Sequence, residues 1–137
     1  MGLSKVQLVE EFGRAWERQD IEAIIDALHE DIVYQNVPVP EMLGKAAVRH
    51  FITPNLTKAS GVQFKFLFIA QTEDGNSVLC ERMDYFFFGD REVPIPVMGI
   101  FEFAGDKIIR WRDYSDIATF VKQMHAIGQA PGPGIVE

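Results

Sequence analysis

The sequence predicts an α+β domain, with helices gathered on one side of a curved antiparallel sheet. Three observations carry this. Apolar residues recur at helical spacing early in the chain and again near its end. Between Val62 and Asp113 the pattern changes to β-rich, alternating segments. Those segments are separated only by short turn signals, and strands joined by short turns are antiparallel neighbours. With 137 residues there is room for one domain and one core. No internal repeat, linker or second domain is visible, so residues 1–127 form the domain and residues 128–137 a tail rich in proline and glycine.

In chain order, Ser4-Lys5-Val6-Gln7 is a capping box that opens a helix, with Val9, Phe12 and Trp16 as its apolar stripe. Asp20 caps a second helix that buries Ile21, Ile24, Ile25 and Leu28, and His29-Glu30-Asp31 closes it. Ile32 to Val37 reads as a strand, stopped by Pro38 and Pro40. Gly44 starts a short third helix with Ala47, Val48 and Phe51 apolar; Pro54 ends or kinks it. Val62 to Ala70 is the next strand, followed by the turn Glu73-Asp74-Gly75-Asn76. Ser77 to Phe88 is the central strand, turned by Gly89-Asp90. Val93 to Phe103 follows, with Pro94 and Pro96 making its start irregular. After Ala104-Gly105-Asp106 the last strand runs from Lys107 to Asp113. Ser115 can cap a closing helix on Ile117, Phe120, Val121 and Met124, with Asp116 as a competing cap. The tail from Gly128 to Glu137 is a loose extension or a lid.

The bulk composition excludes several function classes. A net charge of −7 with no dense basic patch disfavours nucleic acid and anionic membrane surfaces. No apolar run reaches the length of a membrane span, and the N-terminus carries neither a signal-peptide core nor a myristoylation motif. The single cysteine, Cys80, rules out an internal disulfide framework and fits a reducing compartment, so the expected location is the cytoplasm. His29, His50 and His125 have no ligand spacing among them, so no metal is expected. The 11 phenylalanines exceed what a plain core of this size needs, which fits an apolar cavity or a dimer interface.

The chemistry centres on Glu81-Arg82-Met83-Asp84. Side chains alternate faces along a strand, so Val78, Cys80, Arg82, Asp84, Phe86 and Phe88 share the more apolar one. Burying an unpaired charge costs several kcal/mol or more, roughly, so Arg82 and Asp84 need partners. Asp113 in Trp111-Arg112-Asp113-Tyr114 offers a second carboxylate, and Tyr34 and Asn36 share a face on a third strand. The expectation is that these five side chains converge in one pocket. A planar guanidinium bridges two carboxyl groups. In an apolar cavity the trio is neutral when one aspartate keeps its proton, which places a general base beside a general acid. That pairing suits epoxide opening. One carboxylate takes a proton from a water held by Tyr34 and Asn36, while an acid protonates the departing oxygen.

Tyr34-Gln35-Asn36 followed by prolines, then Glu81-Arg82-Met83-Asp84, then Trp111-Arg112-Asp113-Tyr114-Ser115-Asp116, resembles the limonene-1,2-epoxide hydrolase family. The resemblance covers most of the chain in the same order, including the segment Pro40…Gly44-Lys45…Arg49. It implies the cone-shaped fold of the nuclear transport factor 2-like and ketosteroid isomerase-like superfamily: a curved, mostly antiparallel mixed sheet forming a pocket, packed against three to four helices. It implies a homodimer and cofactor-independent hydrolysis of an apolar epoxide to a vicinal diol without a covalent intermediate. Carried over, Asp113 is the base, Tyr34 and Asn36 hold the water with it, Asp84 is the acid and Arg82 the bridge. By the same resemblance and the strand alternation, Phe86, Ile95 and Val97 line the substrate pocket. Ser115 and the bulky Phe86 and Phe88 depart from the family's pattern in ways that bear on the substrate rather than the reaction.

Two other functions fit the fold class. One is isomerase-like proton transfer, against which an arginine touching both carboxylates argues, because it blunts the base. The other is a non-catalytic small-molecule binder. A bland reading of Arg82 and Asp84 is an edge-strand surface ion pair worth about 0–1 kcal/mol. Trp16, Trp111 and Cys80 read as core residues.

Overall fold

The computed structural model describes residues 2–132. Their elements are α1 (Lys5–Glu17), α2 (Ile21–Asp26), β1 (Leu28–Val37), β2 (Met42–Leu43), α3 (Lys45–Lys58), β3 (Gly61–Gln71), β4 (Ser77–Phe88), β5 (Arg91–Ala104), β6 (Lys107–Tyr114) and α4 (Ile117–Ala126). The architecture is α+β: four helices on one open six-stranded sheet of order β2-β1-β6-β5-β4-β3. Neighbouring strands are antiparallel except β1 and β6, which run parallel.

The helix starts follow local chemistry. Ser4 Oγ accepts from Gln7 N while the Gln7 side chain accepts from Ser4 N, a complete capping box. Asp20 accepts from Ala23 N and starts α2. Asp116, rather than Ser115, caps α4, accepting from Thr119 N at 3.0 Å. Gly44 opens α3 at φ +87°, a conformation that side chains rarely adopt.

Four sequence expectations need correction. The second helix ends at Asp26, so Leu28 is buried as the first residue of β1 rather than on a helix face. His29-Glu30-Asp31 lie in that strand; the i+3 and i+4 apolar spacing of Ile24, Ile25 and Leu28 mimicked a longer helix. Of the two alternatives at Pro54, ending is overturned: the proline lies inside α3, which runs on to Lys58. There the Asn55 and Thr57 side chains donate back to Phe51 O and Thr53 O, bonding carbonyls of the proline-containing turns. Pro94 and Pro96 do not make the start of β5 irregular: both stand in an unshifted ladder, paired with Tyr85 and Met83. Finally, β4 lies next to the edge strand β3, and β6 and β5 occupy the middle of the sheet.

The core lies between the helices and the inner face of the sheet. Trp111 and Phe101 stack at 5.5 Å, and the Phe12 ring meets Trp111 edge-on at 5.0 Å. Trp16 stacks on Phe64 at 5.2 Å. Aromatic pairs of this kind each contribute about 0.5–1.5 kcal/mol beyond simple burial. Of the tail, residues 128–132 follow α4, and Lys58 Nζ donates to Ala130 O at 2.9 Å. Residues 133–137, to which the extension-or-lid expectation also applied, lie outside the described residues.

Candidate active site

Strand register builds the site. Two rows of residues cross the inner face of the sheet. One row pairs Cys80 with Gly99, Gly99 with Asp113 and Asp113 with Asn36. The next pairs Val78 with Phe101, Phe101 with Trp111 and Trp111 with Tyr34. Arg82 lies opposite Val97, and Asp84 opposite Ile95. Because register and alternation are fixed together, these side chains all rise from the same face.

Arg82, Asp84 and Asp113 are buried, at 1%, 5% and 5% exposure. Arg82 grips Asp84 with Nε to Oδ1 at 2.8 Å and Nη2 to Oδ2 at 3.1 Å. It reaches Asp113 with Nη2 to Oδ2 at 2.6 Å and Nη1 to Oδ1 at 3.2 Å. The guanidinium also stands 4.9 Å from the Phe64 ring centre. The bland reading of a surface ion pair is therefore wrong: the pair is buried and has a third member.

Electrostatics divides the trio. Burial opposes the charge on Arg82, but the Asp113 and Asp84 carboxylates outweigh it and hold the guanidinium well above its ordinary value. Burial pushes the Asp84 carboxyl up to about 6, against the pull of Arg82. Burial, with the Asp113 charge behind it, pushes the Tyr34 phenol up as well, so it stays a neutral donor. Cys80 accepts a long contact from Arg82 Nη1 at 3.6 Å, yet burial raises its thiol above the ordinary range. An unreactive core thiol fits that environment.

Tyr34 Oη donates to Asn36 Oδ1 at 3.3 Å. Asn36 Nδ2 is buried and has no acceptor among the described residues. Tyr34, Asn36, Arg82, Asp84 and Asp113 line one pocket of about 830 Å³, counted with its open mouth. Phe86, Ile95 and Val97 line it too, as do Phe88 and Ser115. The Ile117, Phe120 and Met124 side chains of α4 complete an apolar wall. Among the described residues no cluster of three His, Cys, Asp or Glu side chains is arranged to hold a metal.

Three features of the site escaped the sequence reading. Trp111 is a core residue, but it also lines the pocket, and its Nε1 donates to Asp113 Oδ1 at 2.9 Å. Its position two residues before Asp113 puts both on one face, a signal that alternation alone supplies. Trp16 and Phe64 likewise serve core and pocket together. Gly99 has no local signal. A Cβ there would lie 2.7 Å from Arg82 Nη1 and 2.8 Å from Asp113 Oδ1, so only glycine leaves room for the bridge to cross β5.

The fold, an open mixed sheet whose helices close a pocket over one face, is shared with a protein of the nuclear transport factor 2-like class. That protein, from Burkholderia pseudomallei, superposes with a TM-score of 0.76 at 15% identity, over 89% of this chain and 98% of that one. The particular family follows from the sequence: residues 3–126 match the limonene-1,2-epoxide hydrolase catalytic domain, and the chain belongs to that family. Epoxide hydrolase EphG of Mycobacterium tuberculosis is 32% identical over 114 residues, covering 83% of this chain and 74% of that protein. The structure of an M. tuberculosis epoxide hydrolase of the same type matches with a TM-score of 0.74 and 29% identity, over 89% of this chain and 90% of that one.

Proposed function

We propose that this protein hydrolyses an apolar epoxide to a vicinal diol in one step. The observation that carries the reading is the buried Asp84–Arg82–Asp113 bridge, set beside Tyr34 and Asn36 in an otherwise apolar pocket. In this reading the ionised Asp113 takes a proton from a water that Tyr34 and Asn36 hold. The water oxygen attacks an epoxide carbon, the carbon–oxygen bond breaks on the far side, and Asp84 gives its proton to the leaving oxygen. Asp113 ends protonated and Asp84 ionised, so proton return between them resets the site. The raised Asp84 carboxyl supports the acid role, because it keeps a proton at a pH where an ordinary aspartate has lost it. The bifurcated grip of Arg82 supports a fixed spacing between acid and base. Phe86, Ile95 and Val97 pack the apolar part of the substrate. No cofactor takes part.

The homodimer forms through the outer face of the sheet. One outer row runs Phe68, Glu81, Met98, Tyr114 across β3 to β6, with Leu79 and Ile100 beside it. Phe68 is 73% exposed and Met98 52%, the kind of apolar patch that a second copy covers. No helix among the described residues is long and apolar enough to cross a membrane.

The test is single-turnover hydrolysis of limonene oxide, cyclohexene oxide and styrene oxide with excess enzyme, chelator and oxygen-18 water. Labelled diol in the first turnover is expected. Unlabelled first-turnover diol means that an aspartate is the nucleophile. Absence of diol from every epoxide rejects the hydrolase reading in favour of an isomerase or a binder.

A further inference from the structure

We propose that Trp111 is a positioning residue that decides which oxygen of Asp113 receives the proton from water; the inference rests on the hydrolase reading above. A carboxylate oxygen has two lone-pair sites in the carboxyl plane. Asp113 Oδ1 accepts from both Trp111 Nε1 at 2.9 Å and Arg82 Nη1 at 3.2 Å. Both of its sites are used. Asp113 Oδ2 accepts only from Arg82 Nη2 at 2.6 Å, among the described residues. One site remains, and Oδ2 is therefore the basic oxygen.

The indole is well placed to enforce this. Trp111 is 1% exposed and packed by rings from several directions. Phe101 stacks on it at 5.5 Å, and Phe12 meets it edge-on at 5.0 Å. The Tyr34 ring stacks on it at 3.9 Å, with the planes 15° apart. The same side chain thus fixes the base through its N–H and the phenol through its ring face. Asp113 and Trp111 sit two residues apart on β6, while Tyr34 is the direct β1 partner of Trp111, so the sheet register fixes the three relative to one another. Without the indole donor, Oδ1 regains a free site and competes with Oδ2 for the proton. The carboxylate is then held by Arg82 alone, and part of its population aims the wrong oxygen at the water.

The experiment compares wild-type enzyme with Trp111→Phe, which keeps an aromatic ring on Tyr34 and Phe101 but loses the donor. Circular dichroism and urea unfolding check the fold. The expected result is a fall in kcat of about tenfold or more with KM within about twofold, because the interaction acts on the reacting water rather than on substrate binding. If Trp111→Phe fails to fold, benzothienylalanine at position 111 keeps the bicyclic shape without the N–H and gives the same comparison. Unchanged kcat in a folded variant overturns the inference. So does raised KM with unchanged kcat, which makes Trp111 a pocket wall only. If the wild type itself forms no diol, the hydrolase reading fails and this inference fails with it.

Discussion

Gly99→Ala is a demanding test of the site, because it adds a single methyl group. Gly99 stands in β5 between Cys80 and Asp113, and its φ lies outside the left-handed region, so alanine is tolerated by the backbone. The new Cβ would lie 2.7 Å from Arg82 Nη1, 2.8 Å from Asp113 Oδ1 and 3.4 Å from Cys80 Sγ. Against a comfortable separation of about 3.5 Å, the first two atoms must each retreat by roughly 0.7 Å. Neither has slack. Arg82 is held by four hydrogen bonds to the two aspartates, and Asp113 also by Trp111. Overpacking of this kind costs about 1–3 kcal/mol of stability. A displacement approaching 1 Å between reacting groups costs about 100-fold in rate, or about 2.7 kcal/mol of barrier. The assay is diol formation under single turnover, with urea unfolding on the same sample. We expect a folded protein, destabilised within that range, with kcat down by about two orders of magnitude. A Gly99→Ala variant with kcat within twofold of wild type and unchanged stability refutes the argument that the bridge needs this gap.

The other predictions follow from the same geometry. Asp113→Asn abolishes diol formation in a folded protein, since the isosteric amide takes no proton; full activity rules out Asp113 as the base. Arg82→Ala abolishes turnover and also lowers unfolding free energy by about 3–5 kcal/mol, because two buried carboxyls lose their cation. Tyr34→Phe slows the reaction less than either, as Asn36 and Asp113 still hold the water, and initial rates order the three variants. The folded Asp84 carboxyl lies at about 6 against an ordinary 3.8, so the folded state binds its proton more tightly than the unfolded chain does. This group therefore contributes most stability at low pH, and about 3 kcal/mol is lost as pH rises from about 4 to above 6. Asp84→Asn lacks that dependence, so thermal unfolding of variant and wild type across this window should shift in the variant's favour as pH rises. Diol formation by wild type falls in the same direction as the acid loses its proton. Met98→Asp on the outer face yields a monomer by analytical ultracentrifugation if the sheet carries the dimer.

Local pattern made much of this molecule legible, and long-range register accounts for most of the rest. The alternation from Ser77 to Phe88 gives the boundaries of β4 and puts Arg82 and Asp84 on its buried face, because a period of two is a local property. The capping box at Ser4 is equally local. Leu28 was misplaced because an apolar residue at helical spacing is ambiguous where a helix passes directly into a strand. The two-residue β2 is too short to produce any periodicity. Ending and kinking were both open at Pro54, and α3 runs on past it because Phe51, Ile52 and Leu56 on either side are buried in the core, a tertiary effect that a propensity rule does not include. Gly99 needed knowledge of which residue stands between Cys80 and Asp113, and that is set by pairing across three strands. The parallel β1–β6 pairing likewise joins segments separated by most of the chain and leaves no local trace.

That parallel pairing also orders the birth of the site. A chain emerging from its N-terminus completes β4, with Arg82 and Asp84, before β6 exists. During that interval Arg82 has one carboxylate instead of two, and Tyr34 has no indole to rest on. Closing β6 against β1 spans the longest sequence separation of any strand pairing in the sheet, the kind of contact that forms slowly because its entropy is lost before its contacts form. Its arrival delivers Asp113 and Trp111 together and brings Asn36 alongside. The buried Asp84–Arg82–Asp113 bridge is thus a property of the finished sheet, and a nascent chain that has not yet made β6 carries Arg82 and Asp84 without Asp113.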